Sequence, residues 1–146
     1  MPVTVKKATL WRRELNNTPG TLAETLKPFA KAGINLQVIM GYTFPDPKTG
    51  AVEVYPITDT KAEAVAKEAG LVPAGDIACL VVEGDDRVGV GYEIAHAVAE
   101  AGINLRFAMC QVIEKRYLGV FGFSSEKDAN QAEQLIKAAC GVGARA

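Results

Sequence analysis

The sequence predicts an α+β chain built from two copies of one β-α-β-β-α unit, each with an antiparallel sheet that carries its helices on one face. Three observations carry this. The segment Ala32-Gly33-Ile34-Asn35-Leu36 returns as Ala101-Gly102-Ile103-Asn104-Leu105, and the same shift of 69 positions (102 − 33 = 69) takes Gly20 onto Gly89. A five-residue identity in register with an upstream glycine marks an internal duplication. In each copy the apolar period changes from helical to two-residue at a glycine, Gly33 or Gly102. With 146 residues and 49% apolar content, the chain divides into units of roughly 70 residues, small enough to gain by packing together. The expected boundaries are 1–74 and 75–146.

The first unit opens with a β-leaning stretch, Val3 to Leu15. Asn16-Asn17-Thr18-Pro19-Gly20 then reads as a turn into a helix, with Pro19 suited to the first helical position and Asn17 or Thr18 to capping. The helix runs to about Ala32, with Leu22, Leu26, Phe29 and Ala30 on one apolar face; Pro28 interrupts one of its bonds. Gly33 stops it, and Ile34 to Met40 alternates as a strand. Phe44 to Gly50 is a turn-rich hairpin loop, after which Val52, Val54 and Tyr55 resume strand character. Asp59 or Thr60 caps a second helix with the stripe Ala62, Val65, Ala66 and Ala69, ended by Gly70. Leu71-Val72 supplies a short fourth strand.

The second copy repeats this order: a strand at Ile77 to Val82, a helix from about Val88 to Ala101, strands at Ile103 to Val112 and Tyr117 to Phe123, and a helix from Lys127 to Ala139. Aligning Val52 with Leu118 changes the shift to 66 (118 − 52 = 66), which makes the first hairpin loop three residues longer. The second copy's fourth strand is short, missing or borrowed. A split β-α-β unit of this kind is the ferredoxin-like plan, βαββαβ when its fourth strand is present.

Sixteen basic against 17 acidic side chains give a net charge of −1, which offers no electrostatic reason to bind nucleic acid or an anionic membrane. No apolar run approaches the roughly 20 residues that span a bilayer, and the N-terminus lacks the pattern of a secretory signal. A cytoplasmic protein is expected. Cys79, Cys110 and Cys140 form no C-x-x-C pair, and Cys79 and Cys110, inside strand patterns, are expected as buried small hydrophobes. His96 falls on the outward side of its helix. Tyr117, Phe121 and Phe123 share one strand face, expected to pack against the other unit or a second chain. Gly89-Val90-Gly91 lacks the third glycine of a dinucleotide fingerprint. No cofactor, metal site or catalytic constellation is expected, so the chain reads as a non-enzyme.

Asn17-Thr18-Pro19-Gly20-Thr21-Leu22-Ala23 followed by Ala32-Gly33-Ile34-Asn35-Leu36 resembles the signature of the ACT domain, and residues 4 to about 140 resemble two such domains in tandem. The resemblance implies a stand-alone regulatory module that binds a small ligand, often an amino acid, at an interface between ACT units. It implies contacts from Asn17, Thr18, Gly20 and Thr21 in the first turn and from Asp86 and Gly89 in the second. The asparagines that open strand two, Asn35 and Asn104, would join from a neighbouring unit. Arg87 and Val88 stand where the first turn has Thr18 and Pro19.

Elementary chemistry runs in the same direction. The first amides of a helix lack internal partners and suit a ligand carboxylate, and glycine lets it approach. An asparagine side chain offers both donor and acceptor to a zwitterion. The same residue types also cap helices and close turns, so each taken singly has a purely structural alternative. The implied partners are a small-molecule ligand, a second copy of the chain in a homo-oligomer, and a separately encoded enzyme or regulator. The competing reading is a structural or assembly protein with vestigial ligand sites.

Overall fold

The computed structural model describes residues 3–140. Its elements run β1 (Thr4–Ala8), β2 (Trp11–Asn16), α1 (Thr21–Ala32), β3 (Val38–Thr43), β4 (Thr49–Tyr55), α2 (Thr60–Glu68), β5 (Val72–Pro73), β6 (Ala78–Asp85), α3 (Val90–Glu100), β7 (Leu105–Ile113), β8 (Arg116–Phe123) and α4 (Glu126–Cys140). They form two four-stranded sheets, ordered β3-β4-β2-β5 and β1-β6-β8-β7. Every strand pair is antiparallel.

The stretch expected as one strand, Val3 to Leu15, is two strands in different sheets. β1 pairs with β6, from Thr4 opposite Glu83 to Ala8 opposite Cys79, while β2 pairs with β4 and β5. The borrowed fourth strand of the second copy is therefore β1. It occupies beside β6 the place that β5 occupies beside β2. The chain accordingly divides into an inner unit, Thr9–Gly75, and an outer unit made of the residues before Thr9 together with those from Asp76 onward. This differs from a division into 1–74 and 75–146 because β1 belongs to the second unit's sheet.

In the inner unit, Trp11, Val52, Val54 and Phe29 form a core with Ala62, Ala66 and Leu71. The α2 stripe arises as its sequence suggests: Asp59 caps the helix by accepting from the Ala62 amide at 2.8 Å. The buried face of α1 is rotated from expectation. Thr25 and Phe29 are buried, whereas Leu22 is 46% exposed and Ala30 faces solvent. Thr25 tolerates burial because its hydroxyl donates to the Thr21 carbonyl at 2.8 Å and accepts from Arg13 Nη1 at 2.9 Å. Strand two also starts later than expected, at Val38, because Gln37 and the three residues before it follow α1 as irregular chain.

In the outer unit, Leu80, Val82, Ile94, Val98, Phe121, Phe123 and Ile136 form the core together with Val5 of β1. Tyr117, Phe121 and Phe123 thus pack inside their own unit. Cys79 and Cys140 are buried, but Cys110 is exposed, because β7 lies at the open edge of its sheet.

The register corrects the alignment of the two copies. Trp11 pairs with Val54, and Leu80, its equivalent at a shift of 69, pairs with Phe121. The shift beyond the hairpin is therefore 67 (121 − 54 = 67), and the first loop is two residues longer rather than three. A slip of one residue sends every side chain to the opposite face. A shift of 66 puts core-facing Val52 onto Leu118, which is outside the core; a shift of 67 puts Val54 onto core-facing Phe121.

Val5 is 6% exposed and belongs to the outer core. Val5→Asp buries an unpaired carboxylate there and should cost about 3 kcal/mol or more. Denaturant unfolding measures the loss, and hydrogen exchange should show it in β6 and β8 amides.

Candidate functional site

Each unit repeats the same strand-to-helix turn, with two backbone hydrogen bonds of the turn in common. The Asn17 amide donates to the Lys48 carbonyl at 2.8 Å, and the Asp86 amide donates to the Lys115 carbonyl at 2.7 Å. Thr21 donates to the Thr18 carbonyl at 3.2 Å, as Val90 does to Arg87 at 3.3 Å. Gly20 and Gly89 precede their helices with φ of 91° and 87°, a left-handed conformation that a β-carbon would strain.

No side chain caps either helix. With the amides of Thr21 and Val90 bonded inside their turns, and those of Glu24 and Glu93 to the carbonyls of Gly20 and Gly89, the amides of the two residues between are left to other acceptors, and the helix dipoles favour negative charge there. Pro19 is not the first helical residue but lies in the turn before Gly20. Nor does Asn17 cap: its carboxamide donates to the Pro47 carbonyl at 3.0 Å and ties the turn to the β3–β4 loop. The Thr18 and Thr21 hydroxyls lie 2.8 Å apart.

A cleft opens beside each of these turns. In the inner unit it has a volume of about 280 Å³ and is lined by Asn17, Thr18, Gly20 and Thr21 of the turn and helix start, with Leu15 of β2 and Gly41, Tyr42 and Thr43 of edge strand β3. In the outer unit the volume is about 320 Å³, and the lining includes Asp86, Arg87, Gly89 and Gly91 with Cys110, Gln111 and Val112 of edge strand β7. The shift of 69 carries Asn17, Gly20, Gly41 and Tyr42 onto Asp86, Gly89, Cys110 and Gln111. The duplication has therefore preserved a cavity along with the fold.

Six of the eight sequence-predicted residues line these clefts: Asn17, Thr18, Gly20 and Thr21 in one, Asp86 and Gly89 in the other. Asn35 and Asn104 do not. Both are exposed, just beyond the C-terminal ends of α1 and α3, a helix length from the turns. Twelve residues of α1 span about 18 Å, so neither asparagine reaches the cleft of its own unit.

Sequence reasoning missed two tyrosine environments. In the inner unit Tyr42 borders the cleft through its strand, but its hydroxyl donates to Glu53 on the sheet face opposite Val52 and Val54, where Glu53, 3% exposed, is ion-paired with Arg12 Nε at 3.4 Å. The cross-strand register that places Arg12 opposite Glu53 could have signalled this pair. Burial, then the Glu53 carboxylate, pushes the Tyr42 phenol up to about 12. In the outer unit Arg87 is clamped to Glu93 by two hydrogen bonds, one of 2.9 Å. Tyr117 lines the same cleft at 3% exposure, its hydroxyl buried without a hydrogen-bond partner among the described residues. Burial is the chief cause that raises its phenol to about 12, so it is a neutral donor at ordinary pH.

Cys110 borders the cleft, and partial desolvation of its otherwise exposed side chain pushes the thiol up rather than down, away from nucleophilic activation. His96 is exposed, stacks on Tyr92 at 5.4 Å and lies 3.8 Å from Glu100.

Two measurements check these environments. Tyrosines whose folded values lie above the ordinary 10 keep their stabilisation below pH 10 and lose it as pH rises toward 12, since the unfolded chain ionises first. The melting temperature should fall across that window, less steeply in Tyr117→Phe. Removing the unpartnered hydroxyl by Tyr117→Phe should also leave the ligand-free protein at least as stable near pH 7, with a gain of about 1 kcal/mol by denaturant titration.

No family model and no curated protein matches the sequence. Solved structures do. Protein BT0572 from Bacteroides thetaiotaomicron superposes with a TM-score of 0.73 at 15% identity, over 91% of this chain and 88% of that one. The ligand-free regulatory subunit of aspartate kinase from Thermus thermophilus gives 0.62 at 20% identity, over 95% and 97%. The corresponding subunit from Thermus flavus gives 0.55 at 22% identity, over 95% and 97%. Likeness at these identities is likeness of fold. The chain has the tandem ACT fold of aspartate kinase regulatory subunits, two ferredoxin-like units with antiparallel sheets.

Proposed function

We propose that this chain is a regulatory module, without catalysis of its own, that binds a small metabolite of the amino-acid class in the helix-start clefts of its ACT units. The single observation that carries the reading is the recurrence of one cleft in both copies. Each time it is set between a left-handed glycine, an uncapped helix start and an edge strand. A ligand carboxylate would accept hydrogen bonds from the helix-start amides, and Thr18 and Thr21 would supply hydroxyls in the inner unit. The regulatory subunits that share this fold support such a role. Asn35 and Asn104 lie at the wrong end of their own helices, so any contact they make must come from another ACT unit, as in a homo-oligomer. Binding would favour one assembly state and pass the signal to a separately encoded enzyme or regulator.

No helix among the described residues is long and apolar enough to cross a membrane. We read the protein as cytoplasmic, with neither nucleic acid nor membrane as partner. His96 carries no case for catalysis, since its contacts are an exposed acid and a stacked ring.

Thermal shift against the twenty common amino acids tests the reading. At least one should raise the melting temperature at millimolar concentration, since a ligand at 100 times its Kd stabilises by about 2.7 kcal/mol. Leu22→Glu and Gly91→Glu occupy equivalent first-turn positions (91 − 22 = 69), where an acid suits the helix but repels a bound carboxylate. Leu22 is exposed, and a β-carbon at Gly91 meets nothing within 4 Å. Each variant should fold normally and weaken ligand binding in its own unit tenfold or more. If no amino acid shifts the transition, and sedimentation shows one oligomeric state whatever metabolite is added, an assembly role with vestigial clefts takes its place.

A further inference from the structure

The two clefts share a shape but not a floor. At equivalent places on the helix-facing side of each sheet, the inner unit pairs Leu15 with Gly50 across β2 and β4, whereas the outer unit pairs Gly84 with Tyr117 across β6 and β8. One glycine and one large side chain occupy the pair in both units, with the order exchanged. A β-carbon on Gly84 would sit 3.3 Å from the Tyr117 ring and 3.5 Å from its hydroxyl, so the phenol lies over Gly84, directly before the turn into α3. The exchange replaces an aliphatic floor with a polar one.

That polar group is incomplete. The Tyr117 hydroxyl is buried and makes no hydrogen bond among the described residues, although buried hydroxyls in folded proteins are normally paired. Tyr117 borders a cleft of about 320 Å³ whose other polar features are the uncapped start of α3 and the side chains of Asp86, Arg87 and Gln111. Arg87 does not complete it, because its guanidinium is committed to Glu93. A ligand that offers a carboxylate to the α3 amides and a second oxygen to the phenol would satisfy both.

Building on the ligand-binding reading above, we propose that the outer-unit cleft selects small carboxylic acids bearing an additional hydroxyl or amide oxygen, with Tyr117 as the residue that recognises it. The inner-unit cleft, floored by Leu15, lacks this preference. A methyl group in place of the ligand's hydroxyl leaves Tyr117 unpaired and loses binding, because a site built to hydrogen-bond discriminates strongly against analogues that lack the group.

Isothermal titration of the full chain tests this with two isosteric pairs, L-threonine against L-valine and L-serine against L-2-aminobutyrate. In the Leu22→Glu background, where the inner cleft is blocked, the hydroxyl-bearing member of at least one pair should bind tenfold or more tightly than its partner. Adding Tyr117→Phe, which keeps the ring, should bring that ratio within twofold while leaving the affinity of the methyl-bearing member unchanged. Circular dichroism and the melting temperature establish that this variant is folded. Persistence of the preference in Tyr117→Phe overturns the inference, as does equal binding of both members in Leu22→Glu alone. If ligands bind and Gly91→Glu abolishes that binding without any hydroxyl preference, only this inference fails. If no acid binds the unmodified chain, the ligand-binding reading falls with it.

Discussion

A single left-handed glycine at each helix start governs how this molecule presents its chemistry. The chain must turn from the end of a strand into a helix lying over the same sheet, and Gly20 and Gly89 do so at φ near +90°. That conformation is strained for residues with a β-carbon, and glycine brings no side chain to cap the helix. The turn is instead held from behind, by hydrogen bonds from Asn17 and Asp86 to Lys48 and Lys115 on the neighbouring hairpin. The anchoring residues Asn17 and Asp86 thus line the same clefts as the glycines they hold in place.

Insertion of one unit into another has a comparable logic. β6 needs a neighbour on its outer side, and β1 supplies it from the other end of the chain's course through the inner unit. Val5 carries that strand into the outer core, while the Lys7–Glu126 ion pair at 2.7 Å, exposed on both sides, adds little. Folding of the outer unit therefore closes a long loop that contains the whole inner unit. Such closure costs entropy only slowly with length, and less still when the inserted segment is already compact.

The elements were legible in the sequence wherever a local signal existed. Asp59, Gly70 and the alanine stripe of α2 declare a helix by themselves, and the repeated Ala-Gly-Ile-Asn-Leu fixes the order of elements in both copies. The break between β1 and β2 was not legible, since Thr9 and Leu10 offer neither glycine nor proline and Leu10 is fully buried. Hydrophobic pattern cannot tell which of two sheets a strand joins. The one-residue error in the hairpin shift has the same origin: Val52 and Leu118 are alike as residues, and only hydrogen-bond register reveals that they face opposite ways. At the candidate site the turn residues could be read from motif spacing, and the expected helix lengths already put Asn35 and Asn104 at the far end from the turns of their own units. Thr25 was invisible as a core residue because its burial depends on Arg13, twelve positions away.

Tyr117 shows why duplicated sites diverge by exchange rather than by simple substitution. A cross-strand pair beneath a helix has limited room, and a ring at one position is compatible with glycine but not with a large side chain at the other, as the 3.3 Å approach at Gly84 shows. Replacing Leu15 by glycine alone would open a void in the inner unit, and replacing Gly50 alone would drive a β-carbon to within 2.3 Å of the Tyr42 carbonyl. In the inner unit the limit on Gly50 is set by the β3 backbone, and in the outer unit the limit on Gly84 is set by the Tyr117 ring. Two copies that began alike can hold different floors indefinitely, one aliphatic and one phenolic, under the same turn and the same helix start. In the proposed reading, the repeated backbone would set where an anion docks, and the cross-strand pair beneath it what else the ligand must carry.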